Sequence, residues 1–178
     1  MTTQPLTVPG HLTVPAGQAH GAGRMGGRLE GREGAEDHES EEESVTASRK
    51  TAMNPPGVGA PIRPYYSNCV KVTAGPLLFV AGQVALDPEG RLVGKGDPGA
   101  QTAQALENIK AILAANRATM DDIVKVTVYV TDMAHFDRIA EVRSRYFPKN
   151  GPASVIVEVS RLALPDLLVE IEAVAAVS

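Results

Sequence analysis

The sequence predicts an α+β domain, one sheet with two helices packed on one of its faces. Two segments, residues 97–117 and 133–147, carry helical apolar spacing, and each is flanked by β-rich runs. The chain ends in a strand that alternates apolar residues with glutamates. The order from residue 53 is strand–strand–helix–strand–helix–strand–strand, with too few helices to cover both faces of a sheet.

Each element has its own signal. "NCVKV" alternates and is followed by the turn "TAGP". "LLFVAGQVAL" has the length and apolarity of a buried strand, and "DPEGRL" is a hairpin turn with Pro88 and Gly90. In "DPGAQTAQALENIKAILAANR", Asp97 is placed as N-cap and Pro98 at the first helical position. Ala105, Ile109, Ile112 and Leu113 give that helix its apolar stripe. "IVKVTVYVTD" puts Val124, Val126, Val128 and Val130 on one face of a strand. "MAHFDRIAEVRSRYF" returns to helical spacing through Phe136, Ile139, Val142 and Tyr146, and "PKNGP" stops it. "ASVIVEVSRL" is a strand, "ALPD" a turn and "LLVEIEAVAAVS" the last strand. There Val169, Ile171 and Ala173 point to the helices, and Glu170, Glu172 and Val174 point to the bare face. On spacing alone, the two glutamates are equally compatible with a solvated face and with a cleft at a subunit interface.

Composition narrows the class. The 178 residues suffice for one domain with a core, and 43% of them are hydrophobic. Cys69 stands alone, so there is no internal disulfide, and paired Cys/His metal spacing is absent. No apolar run approaches the roughly 18 residues of a membrane helix. No apolar segment follows basic residues at the N-terminus. A cytoplasmic protein is expected. Residues 1–52 are poor in large apolar side chains and contain "EGREGAEDHESEEES". They are expected to form a disordered tail, with the domain at 53–178. The tail holds 5 bases and 8 acids, a net of −3. The remaining 12 bases and 13 acids leave the domain at −1. The acidic run reads as a solvated linker; a docking segment for a basic partner, or a start at Met53, are the alternatives.

The stretches "PYYSNCV", "LLFVAGQVALDPEG", "QTAQALENIKAILAA", "DDIVKVTVYVTDM", "GPASVIVEVSRL" and "VEIEAVA" occur in the order they have in the Rid (YjgF-type) family, and from Met53 onward the chain resembles that family. The resemblance implies a chorismate-mutase-like α+β domain, a homotrimer with clefts between subunits, and hydrolysis of reactive enamines and imines to a carbonyl compound and ammonia. It implies no cofactor and no metal. Glu170 corresponds to the cleft glutamate that positions the attacking water, which leaves Glu172 a structural role. Tyr65 corresponds to the cleft tyrosine, with Arg63 where a glycine stands in the family pattern. Ala81-Gly82-Gln83 replaces a Ser-Gly-Gln, so Gly82 keeps its backbone groups while the hydroxyl at 81 is gone. Ala140 falls on a cleft asparagine, and Ile156 on a cysteine of many relatives. Ser154 falls on the arginine that clamps the substrate carboxylate.

The last departure bears most on chemistry. An arginine–carboxylate fork makes two charge-assisted hydrogen bonds, where serine offers one neutral hydroxyl. Losing a desolvated charged partner costs about 2–5 kcal/mol of binding, roughly 30- to 4,000-fold. Three consequences are open: the substrate lacks the carboxylate, another cation binds it, or the catalytic role has been lost; an altered substrate is the expectation. Arg63 is the nearest candidate in sequence, against a surface role for it. Arg161 reads as a strand-edge charge. On this reading Ser154→Arg restores the clamp.

Other chemistries find less support. His135 has no partners at triad spacing, and "GKGDPG" lacks the phosphate-loop pattern. Cys69 reads as a buried small hydrophobe. Arg138 and Arg145 lie on one helix face, yet no basic stripe is interleaved with aromatics, so a nucleic-acid partner is disfavoured. The readings that remain are a divergent imine hydrolase, a small-molecule-binding or regulatory trimer without turnover and, third, an RNA-directed activity.

Overall fold

The structure is a computed structural model that describes residues 49–178. Up to residue 48, the expected tail lies outside the described residues. The expected boundary at 52/53 falls inside a strand. β1, Lys50–Met53, pairs antiparallel with β2, Cys69–Val72, and Lys50 faces Val72 in the register. The polar composition of "RKTAM" hid this strand, because a four-residue ladder needs little apolar surface. Where one sheet was expected there are thus two, this ladder and a four-stranded sheet.

The larger sheet comprises β3 (Leu77–Val84), β4 (Ile123–Val130), β5 (Ala153–Glu158) and β6 (Val169–Ala176), in the order β3-β6-β4-β5. Only β4 and β5 run parallel. A parallel pair needs a crossover, and α2 (Phe136–Tyr146) lies within that connection. α1 (Pro98–Ala115) joins β3 to β4. Asp97 caps α1 as the sequence suggests: its carboxylate accepts hydrogen bonds from the backbone N–H groups of Gly99 (2.9 Å) and Ala100 (3.1 Å), with Pro98 following. A 3₁₀ turn, Met133–His135, precedes α2.

The period-two patterns set the two faces. Ile123, Val126, Val128 and Val130 of β4 and Val169, Ile171 and Ala173 of β6 are buried in one core with Leu106, Ile109, Leu113 and Ile139 of the helices. Val124, expected on this face, falls at a register shift in the β4–β6 ladder and is buried outside that core, and Ile123 takes its place. The opposite face carries Lys125, Thr127, Tyr129, Glu170, Glu172 and Val174, all partly exposed. Its neighbours Phe79, Leu77 and Val155 are 73%, 47% and 41% exposed. This is an α+β chorismate-mutase-like fold with one sheet face uncovered.

The loop that leads into β6 is held by Gln101, a buried side chain of α1. Its Nε2 donates to the carbonyls of Gly94 (3.2 Å) and Asp166 (2.8 Å), and its Oε1 accepts from the N–H of Leu168 (2.7 Å). Gln101→Leu keeps the volume and strands three backbone groups. At about 1–3 kcal/mol for each unsatisfied group, chemical denaturation should show a loss of about 3 kcal/mol or more. An unchanged midpoint would mean that these groups find other partners.

Candidate functional site

The residues singled out by sequence fall into two groups on opposite faces of the sheet. Registered neighbours in a sheet share a face. Ser154 is registered with Val126, so it lies on the helix face, whereas Glu170 is registered with Tyr129 and lies on the bare face. Within one chain, Ser154 and Tyr65 therefore do not line a common cleft with Glu170.

The helix-face group is built around Tyr65. The loop carrying Tyr65 is pinned beside β5 by the Ser67 N–H, which donates to the Pro152 carbonyl at 3.1 Å, and by a parallel bridge from Ser67 to Ala153. Gly151 makes this approach possible, since a Cβ there would collide with the Tyr65 backbone. Tyr65 is buried, and its ring lies 4.6 Å from the Arg143 guanidinium carbon. Burial pushes the Tyr65 phenol up, and the charges of Arg143 and Arg63 oppose that shift. Arg143 itself, on α2, is 2% exposed and donates from Nη2 to the Ser154 hydroxyl at 2.6 Å. Its Nε has no acceptor, and burial lowers its pKa. A groove of about 270 Å³ beside Tyr65 is lined by Arg63, Pro64, Asp137, Ala140, Glu141 and Ser144. Arg63 thus borders the same groove as Tyr65 and Ala140. It is exposed, however, paired to Asp137 at 2.8 Å and 5.6 Å from the centre of the Phe136 ring.

The bare-face group is built around a β-bulge. Val80 pairs with Ala173 and Gln83 with Ile171, so Ala81 and Gly82 together oppose Glu172. Gln83 Nε2 donates to the carbonyls of Ala81 (3.1 Å) and Gly82 (3.4 Å). The Glu170 carboxylate lies against Gly82 so closely that any Cβ at 82 would collide with it. A side chain at 82 would therefore push the Glu170 carboxylate out of its present place. Glu170 and Glu172 share a groove of about 480 Å³ with Tyr129, Arg161 and Leu162. Arg161 lies in the loop beyond β5 and not on the strand edge expected for it. Desolvation, and then the Glu172 and Glu170 carboxylates, push the Tyr129 phenol up. A second groove of about 460 Å³, lined by Phe79, Ala81, Lys125, Thr127, Glu172 and Val174, is mainly apolar.

Two residues here were not among those expected: Arg143 and Tyr129. Arg143 carried a signal, because it sits at i+4 from Ile139 and next to Val142, inside the apolar stripe of α2. Cys69 is half-exposed, its Sγ 3.5 Å from the Met53 carbonyl, and is not the buried hydrophobe expected. Among the described residues no cluster of His, Cys, Asp and Glu has the form of a metal site, and no helix is long and apolar enough to cross a membrane.

Residues 59–177 match the family model described as Endoribonuclease L-PSP. A RutC family protein of Pyrococcus horikoshii is 51% identical over 115 residues, 65% of this chain and 88% of the relative. Protein DfrA of Myxococcus xanthus is 42% identical over 111 residues, 62% of this chain and 83% of the relative. Among solved structures, a Rid-family protein of Yersinia pestis superposes with a TM-score of 0.67 at 36% identity, covering 72% of this chain and 99% of that one. RidA of an Antarctic Psychrobacter superposes with a TM-score of 0.54 at 34% identity, covering 70% and 94%.

Proposed function

Because the chain belongs to the Rid (YjgF) family, we propose that it hydrolyses a reactive imine or enamine of a small molecule to a carbonyl compound and ammonia, without a cofactor. The observation that carries this reading is the close approach of the Glu170 carboxylate to the bulged backbone at Gly82, on a sheet face left uncovered. Water adds its oxygen to the C=N carbon and gives a proton to Glu170, which passes it to the nitrogen to give the carbinolamine. The hydroxyl proton then reaches the nitrogen by the same carboxylate, the C–N bond breaks with its electron pair leaving on ammonia, and the oxygen closes to C=O. Both water protons end on ammonia, and Glu170 is again a carboxylate. No electrons are exchanged with a third party. Tyr65, whose phenol is kept protonated by burial, supplies a hydrogen-bond donor at the cleft.

Since the two groups lie on opposite faces, the cleft must join Tyr65 of one copy to Glu170 of a neighbour. A homotrimer supplies that arrangement. The apolar residues Phe79, Leu77 and Val155 then become interface, in a closed ring of identical contacts. Burying one Phe side chain contributes about 1.5–3 kcal/mol. Light scattering should report three chains, and Phe79→Asp should shift the protein to monomer and abolish turnover. A wild type monomeric at micromolar concentration would overturn the intersubunit cleft.

Turnover is tested by generating 2-iminopropanoate from alanine with an amino-acid oxidase and following pyruvate and ammonia. Acceleration over the uncatalysed rate supports hydrolysis. Tight pyruvate binding without acceleration would instead favour a binding or regulatory trimer. The nuclease activity in the family model's description finds little support in this chain's charges. Arg138 and Arg145, the candidate RNA contacts on α2, both pair with Glu141, at 2.7 and 2.5 Å.

A further inference from the structure

We propose that Arg143 is the anion-binding group of the cleft, so that a small carboxylate is held from α2 at the place where β5 offers only Ser154. This rests on the functional reading above and deepens it by assigning a specificity-determining residue of this chain, Arg143 on α2, in place of the β5 position. It answers differently the expectation, drawn from Ser154 alone, that the substrate is altered.

Arg143 is the largest fully buried side chain among the described residues. The neighbouring cations are all matched: Arg63 with Asp137, and Arg138 and Arg145 with Glu141. Arg143 has no carboxylate in reach. Its contacts are the face of Tyr65 and the Ser154 hydroxyl, and its Nε is buried with no acceptor. Guanidinium stays protonated even when desolvated, so the fold encloses a cation with unused donors and no counter-charge. Buried charges are ordinarily paired. A planar carboxylate matches the guanidinium fork, and a two-oxygen ligand uses donors that a single hydroxyl leaves free.

The surroundings allow access. Ser154 is half-buried on β5, next to the Ala153 bridge to the Tyr65 loop, so the hydroxyl end of the pair is not sealed from solvent. The groove of about 270 Å³ is lined by Tyr65, Ala140 and Ser144; Arg143 lies behind it, in contact with the Tyr65 ring and next in the helix to Ser144. Ser154 becomes a positioning residue that holds the guanidinium in place. Tyr65 serves the same end with its ring face.

The test compares pyruvate with its neutral isostere pyruvamide, titrated into the full chain by calorimetry. A charge-assisted pair worth about 1.5–3 kcal/mol corresponds to about a 10- to 150-fold preference for the acid. Arg143→Met should erase the preference, and Arg143→Lys should keep part of it, since a point charge remains but the fork is lost. If Arg143→Met does not fold, the wild-type acid-to-amide ratio and the ratio in Ser154→Ala carry the test, with Ser154→Ala expected to narrow it. Equal affinity of the wild type for acid and amide overturns the proposal. So does an undiminished acid preference in folded Arg143→Met. Acid preference without imine hydrolysis supports the anion site and removes the catalytic reading. Hydrolysis of neutral and carboxylate imines at equal efficiency overturns the anion site while leaving catalysis intact.

Discussion

Glu170→Gln should lower imine turnover by about 10²- to 10⁴-fold, the range in which a positioned proton acceptor contributes. The substitution is nearly isosteric, and Glu170 is half-buried between Val84 of β3 and Tyr129 of β4 in the ladder. The fold should tolerate it, so stability and oligomeric state stay at wild-type values. An amide cannot take a proton from water at neutral pH, so the loss belongs in kcat. Pyruvate affinity should change by only a few-fold, because its carboxylate is held on the other half of the cleft. Glu172→Gln is the matched control. It sits on the same face two residues on, opposite Thr127 and the bulge at Ala81-Gly82. With a structural role it should lose less than about tenfold in turnover. Retained activity in Glu170→Gln, or a larger loss in Glu172→Gln, would move the chemistry off Glu170.

Most elements of the fold were legible because their signals are local. The Asp97-Pro98 cap, the valines of β4 and the alternation of β6 each state a face or an end within a few residues. β1 was missed because it owes its existence to pairing with β2. The site was legible residue by residue and not as an assembly. A residue's face depends on register, and register depends on pairing between distant strands. "GPASVIV" does not reveal that Ser154 lies beside Val126, and "VEIEAVA" does not reveal that Glu170 lies beside Tyr129. Only the two registers together put the expected cleft residues on opposite faces. Arg143 is different: an arginine at the i+4 position of an apolar helical stripe is a local conflict between pattern and charge. Such conflicts concentrate at functional sites.

Ser154→Arg should destabilise the protein and bring no gain in oxo-acid binding, the reverse of what the family pattern suggests when read at position 154 alone. The Ser154 hydroxyl already accepts from the Arg143 guanidinium at 2.6 Å. A second guanidinium there would face the first inside the same buried space, with no carboxylate among the groups around them. An unpaired buried charge costs about 3–5 kcal/mol. For a chain of this length, at about 2–4 °C per kcal/mol, the melting temperature should fall by about 6–20 °C. The paired variant Arg143→Leu/Ser154→Arg removes the repulsion and returns one cation to the pocket from the strand side. It should recover much of the stability, giving a coupling of about 0.5–3 kcal/mol in the double-mutant cycle. It should also regain a preference for pyruvate over pyruvamide, since only the origin of the guanidinium has changed. If Ser154→Arg alone is as stable as wild type and binds pyruvate more tightly, the two positions do not share one cation site. The anion role of Arg143 would then fall with it.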